Sequence, residues 1–254
     1  MMRHLGLTLV AACVLGGAVL AGQARGYCAD CHFASTDAPA RDHLDAWSVS
    51  AHGRANVGCE RCHGGDPTTA DRFEAHQRVL GSSNPSSPVF RANLPRTCGQ
   101  CHIGPFVEFQ QSQHFALLNE GDRRGPTCTT CHGSVAAQLA SPRGLEQRCE
   151  QCHGPSGREP REGRSAQARA LLEGIGDVRE SLGAATRLID RVSDPARRLM
   201  LDAAREQADV PLAQARQAGH RFVFDELESR LAVARQRTAA LMQLLLSPAP
   251  PPGE

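Results

Sequence analysis

Ten of the eleven cysteines fall into five pairs with one spacing, each followed at once by a histidine. The pairs are Cys28 and Cys31 before His32, Cys59 and Cys62 before His63, Cys98 and Cys101 before His102, Cys128 and Cys131 before His132, and Cys149 and Cys152 before His153. Two thiols separated by two residues can each add to one of the two vinyl groups of a single porphyrin. The adjoining histidine then falls beneath the iron as its proximal ligand. Paired cysteines also bind zinc or form disulfides, but neither role calls for a histidine directly after every second cysteine. The pattern therefore predicts five covalently attached c-type haems, with these ten cysteines as attachment points and five proximal histidines as iron ligands.

The chain has five further histidines outside the N-terminal segment: His43, His52, His76, His114 and His220. Their number equals the number of irons still needing a distal ligand, so all five are candidates. If every iron takes two histidines, each is six-coordinate and has no open position for a substrate. Such sites pass electrons, and bis-histidine ligation favours lower potentials than histidine with methionine. Met200 and Met242 fall at apolar positions of helical segments and are read as packing residues.

Composition agrees with a cofactor-filled interior. Only 4% of the 254 residues are aromatic, with one Trp and one Tyr, whereas five haems would add roughly 3 kDa of flat apolar ring. The net charge of +1 gives no bias toward nucleic acid. All 28 basic residues are arginine, which excludes Schiff-base chemistry and a lysine ligand. At the N-terminus, Met1 to His4 is basic, Leu5 to Leu20 is apolar, and small residues follow. This reads as a secretory signal over residues 1–24, cut after Ala21 or Ala24. The alternatives are an uncleaved membrane anchor or a lipid anchor at Cys13 in Val10-Ala11-Ala12-Cys13. The expected location is periplasmic, with membrane attachment only through such an anchor.

The elements that must position these groups are helical. Strand alternation is absent and turn residues are dense. The fold expected is mainly α with little or no β: a loop-rich multihaem part over residues 25–157, with short helices around stacked haems, followed by a C-terminal helical bundle. Gly81 to Pro88 reads as a spacer loop. A linker covers 158–164, a helical region 165–246 and a Pro-rich disordered tail 247–254. In the helical region Ile175, Val178, Leu182, Ala185, Leu188, Ile189 and Val192 recur at helical spacing. Asp194-Pro195 opens a helix running to about Gln207, and Pro211 starts or kinks the next piece. A last helix from about Phe222 to Leu246 carries Phe224, Leu227, Leu231, Ala234, Thr238, Leu241 and Leu245 on one stripe. This region is expected to pack on the haem-binding part and supply His220, or to mediate homo-oligomer formation or docking.

The sequence resembles the periplasmic multihaem cytochromes c, in particular the small tetrahaem and pentahaem electron carriers of the nitrite reductase and hydroxylamine oxidoreductase group. Ser50-Ala51-His52 leading to Cys59, and Ser112-Gln113-His114 leading to Cys128, are similar to that family's S-x-H element before its C-x-x-C-H-G motif. The resemblance implies that His52 and His114 are distal ligands. Gly219-His220 before a helix resembles a Gly-x-His-Asn element of related enzymes, with Arg221 in place of Asn. The function implied is electron transfer between a quinol-linked donor and a terminal reductase or acceptor. The alternative is a multihaem enzyme acting on a small nitrogen or sulfur compound at one open iron. Enzymes of that group use a lysine ligand or a cross-linked tyrosine; this chain has no Lys, and its only Tyr, Tyr27, adjoins the signal. Both absences favour the carrier.

Overall fold

The computed structural model describes residues 26–35, 41–135 and 141–247. The signal expected over residues 1–24 and nearly all of the tail expected over 247–254 lie outside the described residues. Among the described residues the protein is mainly α: thirteen helices and one 3-10 turn, with no strand. None of these helices is long and apolar enough to cross a membrane.

Ten short helices carry the cysteine motifs and their surroundings. They are α1 (Gly26–Ala34), α2 (Arg41–Ser48), α3 (Ala51–Arg54), α4 (Glu60–His63), α5 (Arg72–Ala75), α6 (Leu94–Gly99), α7 (Ile103–Gln110), α8 (Gln113–Asn119), α9 (Cys128–His132) and α10 (Pro142–His153). Helices this short do not persist on propensity alone. Side chains cap them instead. Asp71 accepts from the amides of Phe73 and Glu74, and Ser141 from that of Gly144. After His63 and His132 the chain must turn sharply. Gly64 and Gly133, at φ 76° and 78°, take the left-handed conformation that a side chain would strain.

The expected spacer at Gly81 to Pro88 is an ordered knot of turns. Ser87 is fully buried and donates to the Leu80 carbonyl, and Asn93 donates to the carbonyls of Pro85 and Ser87. Its polar composition reflects this internal bonding.

Three long helices follow: α11 (Arg164–Ile189), α12 (Pro195–Ala218) and α13 (Phe224–Leu246), with the 3-10 turn Gly219–Arg221 between the last two. Their buried stripes form one core, including Val178, Leu182 and Ile189 of α11, Leu201 and Leu212 of α12, and Leu231 and Leu241 of α13. Four expectations are corrected here. The helix opened by Asp194-Pro195 does not stop near Gln207 but continues to Ala218, and the buried Pro211 lies inside it without starting a new helix. Burial of Ala208, Leu212, Ala215 and Ala218 on the same face outweighs the hydrogen bond that proline forfeits. The last helix begins at Phe224, because Phe222 is left-handed at φ 61°. Leu188 and Met200, expected inside, are 40% and 47% exposed; both sit one position off the buried stripe. Met242 does pack against the core. Helix α10 packs along α11, and α7 touches both α12 and the 3-10 turn, so the bundle rests on the motif-bearing part.

Candidate haem-binding site

The two S-x-H elements are the same local device. Ser50 and Ser112 are each 4% exposed and each is an N-cap. Ser50 Oγ donates to the Trp47 carbonyl (2.7 Å) and accepts from Gly53 N (3.0 Å). Ser112 Oγ donates to the Phe109 carbonyl (2.7 Å) and accepts from Phe115 N (3.1 Å). Each serine thus ends one segment and starts a helix, and His52 and His114 fall in that helix's first turn. Gly53 is required beside the first: a Cβ there would lie 2.3 Å from the Trp47 carbonyl oxygen.

All ten histidines of the described residues meet in five pairs, each joining one motif histidine to one outside the motifs. Ring centres are 5.8 Å apart for His32 and His76, 5.9 Å for His63 and His43, 6.0 Å for His102 and His52, 6.1 Å for His132 and His220, and 5.9 Å for His153 and His114. An imidazole nitrogen lies about 2 Å from a metal it binds and its ring centre about 1 Å farther, so two imidazoles on opposite sides of one metal have centres about 6 Å apart. Among the described residues no group of three or more His, Cys, Asp or Glu is arranged to hold a metal ion. Two facing donors define one axis only; a macrocycle that brings its own four equatorial nitrogens fits them, and a bare tetrahedral ion does not. None of the ten motif cysteines is in a disulfide, so each can form a thioether with a vinyl group. The residues present therefore fit c-type haem.

Several groups orient and neutralise the rings. His76 Nδ1 lies 2.7 Å from the Arg72 carbonyl, and His153 Nδ1 lies 2.8 Å from the Glu159 carbonyl. A carbonyl only accepts, so both rings carry the proton on Nδ1 and leave Nε2 free for a metal. These carbonyls were invisible in the sequence, which carries no signal for which backbone oxygen a ring will meet. Burial, followed by the charges of His153 and Arg161, lowers the pKa of His114 to about 4. Burial also lowers those of His63 and His220. All three are held neutral, the form that binds metal.

The thiols also follow one another in chain order. After burial, Cys59 is raised by nearby Cys28, and Cys62 by Cys98 and Cys101. The Cys98 and Cys128 thiols act on each other, raising Cys98 and lowering Cys128. Cys131, pushed up to about 11 chiefly by burial, also feels Cys149 and Cys152. Each motif thus neighbours the next.

Residues 87–154 match the family of cytochrome c7 and related cytochrome c, and residues 19–64 match that of cytochrome c554 and c-prime. The two matches support a multihaem c-type cytochrome. The first covers the last three cysteine motifs and the second covers the first two. No curated protein and no solved structure matches the chain. Haem, electron transfer and a c-type cytochrome character follow at this level.

Proposed function

We propose that the protein is an exported pentahaem electron carrier in which each iron is held by two histidines. The observation that carries this reading is the one-to-one pairing: five motif histidines, five partners, and no histidine left over among the described residues. Haem iron, when bound, supplies a reversible one-electron couple, and closely spaced haems exchange electrons without bond making.

The chain's own residues do the rest. Ten cysteines would hold the groups covalently, and the ten paired histidines would ligate the irons and keep water and small substrates off the metal. The thiol order from Cys28 to Cys152 supports a sequence of neighbouring sites along the chain. His76 and His153, at the two ends of that order, each have an Nδ1 proton held by a carbonyl. Such second-sphere bonds raise ligand basicity and favour the oxidised metal. The partners expected are redox proteins, a quinol-linked donor and a terminal reductase or acceptor, met outside the cytoplasm.

The test is the EPR spectrum of the oxidised, fully loaded protein, with haem counted by intact mass. Five haems and only low-spin ferric signals are expected. A stoichiometric high-spin signal that changes on adding nitrite or hydroxylamine would overturn the carrier reading in favour of an enzyme.

A further inference from the structure

His220 differs from His76 and His153. Its Nδ1 is buried and makes no hydrogen bond of good geometry, although the ring lies near the backbone of Arg216 and Gln217 one turn earlier, and the turn that bears it has no side-chain cap. The ring is therefore aimed mainly through the backbone that carries it, Gly219–Arg221 included. Two neighbouring residues fix that backbone.

The first is Arg221, only 23% exposed along its side chain. Its Nε donates to Glu108 Oε2 on α7, and one terminal nitrogen donates to Glu226 Oε1 at 3.0 Å on α13. Glu226 is also held by Arg230. Helix α7 starts directly after His102, so this network ties a cysteine-motif segment to the bundle at the position of His220. The planar fork of arginine can serve two carboxylates on different helices; lysine offers one point charge.

The second is Phe222. It has φ 61°, a conformation unfavourable for a bulky residue. Its ring stands edge-on to His114 at 4.4 Å and lies 6.5 Å from Phe109. The strained backbone therefore places an aromatic ring against the partner of His153 while the same turn delivers His220 to His132.

We propose that the segment Gly219–Phe222 couples the C-terminal bundle to the last two haem sites, with Arg221 the positioning residue for His220 and Phe222 the positioning residue for His114. The inference rests on the bis-histidine reading above. The bundle then sets ligation at two of the five sites.

EPR and redox titration of the oxidised, haem-loaded, full-length protein test it. In Arg221→Ala, a high-spin signal approaching about one fifth of the iron should appear. Arg221→Lys should show a smaller share, and Glu108→Gln should resemble Arg221→Ala. Phe222→Gly removes the ring while relieving the left-handed strain; it should leave all iron low-spin but shift one low-spin signal and one midpoint potential. His220→Ala is the control. If it gives the one-fifth high-spin signal while Arg221→Ala and Glu108→Gln match the parent, the positioning role of Arg221 is wrong and the ligand reading stands. If His220→Ala stays wholly low-spin, His220 is not a ligand and both fail. A Phe222→Gly spectrum and titration identical to the parent would overturn the role of Phe222. Should Arg221→Ala not accumulate, the lysine and Glu108 variants decide the question.

Discussion

The motif-bearing part and the C-terminal bundle are held together by different means. In the bundle, Leu201, Leu231 and Leu241 are at most 1% exposed, and the buried stripes of three long helices close on each other. Among the described residues from 26 to 153 the large buried apolar side chains are few: Leu44, Trp47, Phe109 and Leu118, while Phe73, Val49 and Ile103 are 79%, 69% and 64% exposed. Order there comes from caps and turns, with Ser50, Asp71, Ser112 and Ser141 each satisfying the start of a short helix. One region buries its own side chains; the other arranges polar groups, thiols and imidazoles for a prosthetic group to complete. A hydrophobic core stabilises in proportion to area removed from water, and a capped four-residue helix does not.

The largest expected effect follows from that difference. In the full-length chain produced without haem attachment, backbone amides of α11 to α13 should stay protected from hydrogen exchange. Those of α1 to α9 should exchange at least about a hundredfold faster than in the loaded protein. Similar protection of both regions in the haem-free chain would mean that the motif-bearing part has an adequate core of its own, and the comparison would fail.

Next in size is Leu231→Ala. Leu231 of α13 is fully buried, so its truncation should destabilise the bundle by about 2–5 kcal/mol, measured by denaturant unfolding followed by far-UV circular dichroism. The low-spin signals of the pairs formed wholly before residue 103 should not move. If they do, the two regions are energetically one unit.

The bundle was more legible in the sequence than the site geometry. The stripe from Phe224 to Leu245 could be read because burial of one helix face imposes its period on the residues. Leu188 and Met200 misled because apolar type shows what can be buried, not which neighbouring position wins the face. Pro211 misled as a helix start because a local breaker is overridden by packing on the face it shares. In the motif-bearing part the cysteines and the histidine count were plain, since covalent attachment leaves a fixed spacing. Which histidine meets which was not, because pairs such as His132 with His220 join segments far apart along the chain. The Ser50 and Ser112 elements are legible in the sequence through resemblance alone; the structure shows that both serines are helix caps.

Those caps give the smallest and most local prediction. Ser112 Oγ both donates to the Phe109 carbonyl and accepts from Phe115 N, so Ser112→Ala removes two bonds at the junction of α7 and α8. Loss of the cap should cost about 1 kcal/mol, several-fold less than Leu231→Ala. Its effect should fall on His114, two residues on, and reach little of the bundle. The low-spin signal and potential of the His114 and His153 site should therefore shift while bundle unfolding stays near the parent. Ser112→Asp keeps an acceptor for Phe115 N but cannot donate to Phe109, so it should restore stability more fully than it restores the signal. Ser50→Ala should do the same to the His52 and His102 site alone. A Ser112→Ala protein whose loss appears in bundle unfolding and leaves its haem signals unchanged would show that the cap stabilises helices generally and does not aim the ring.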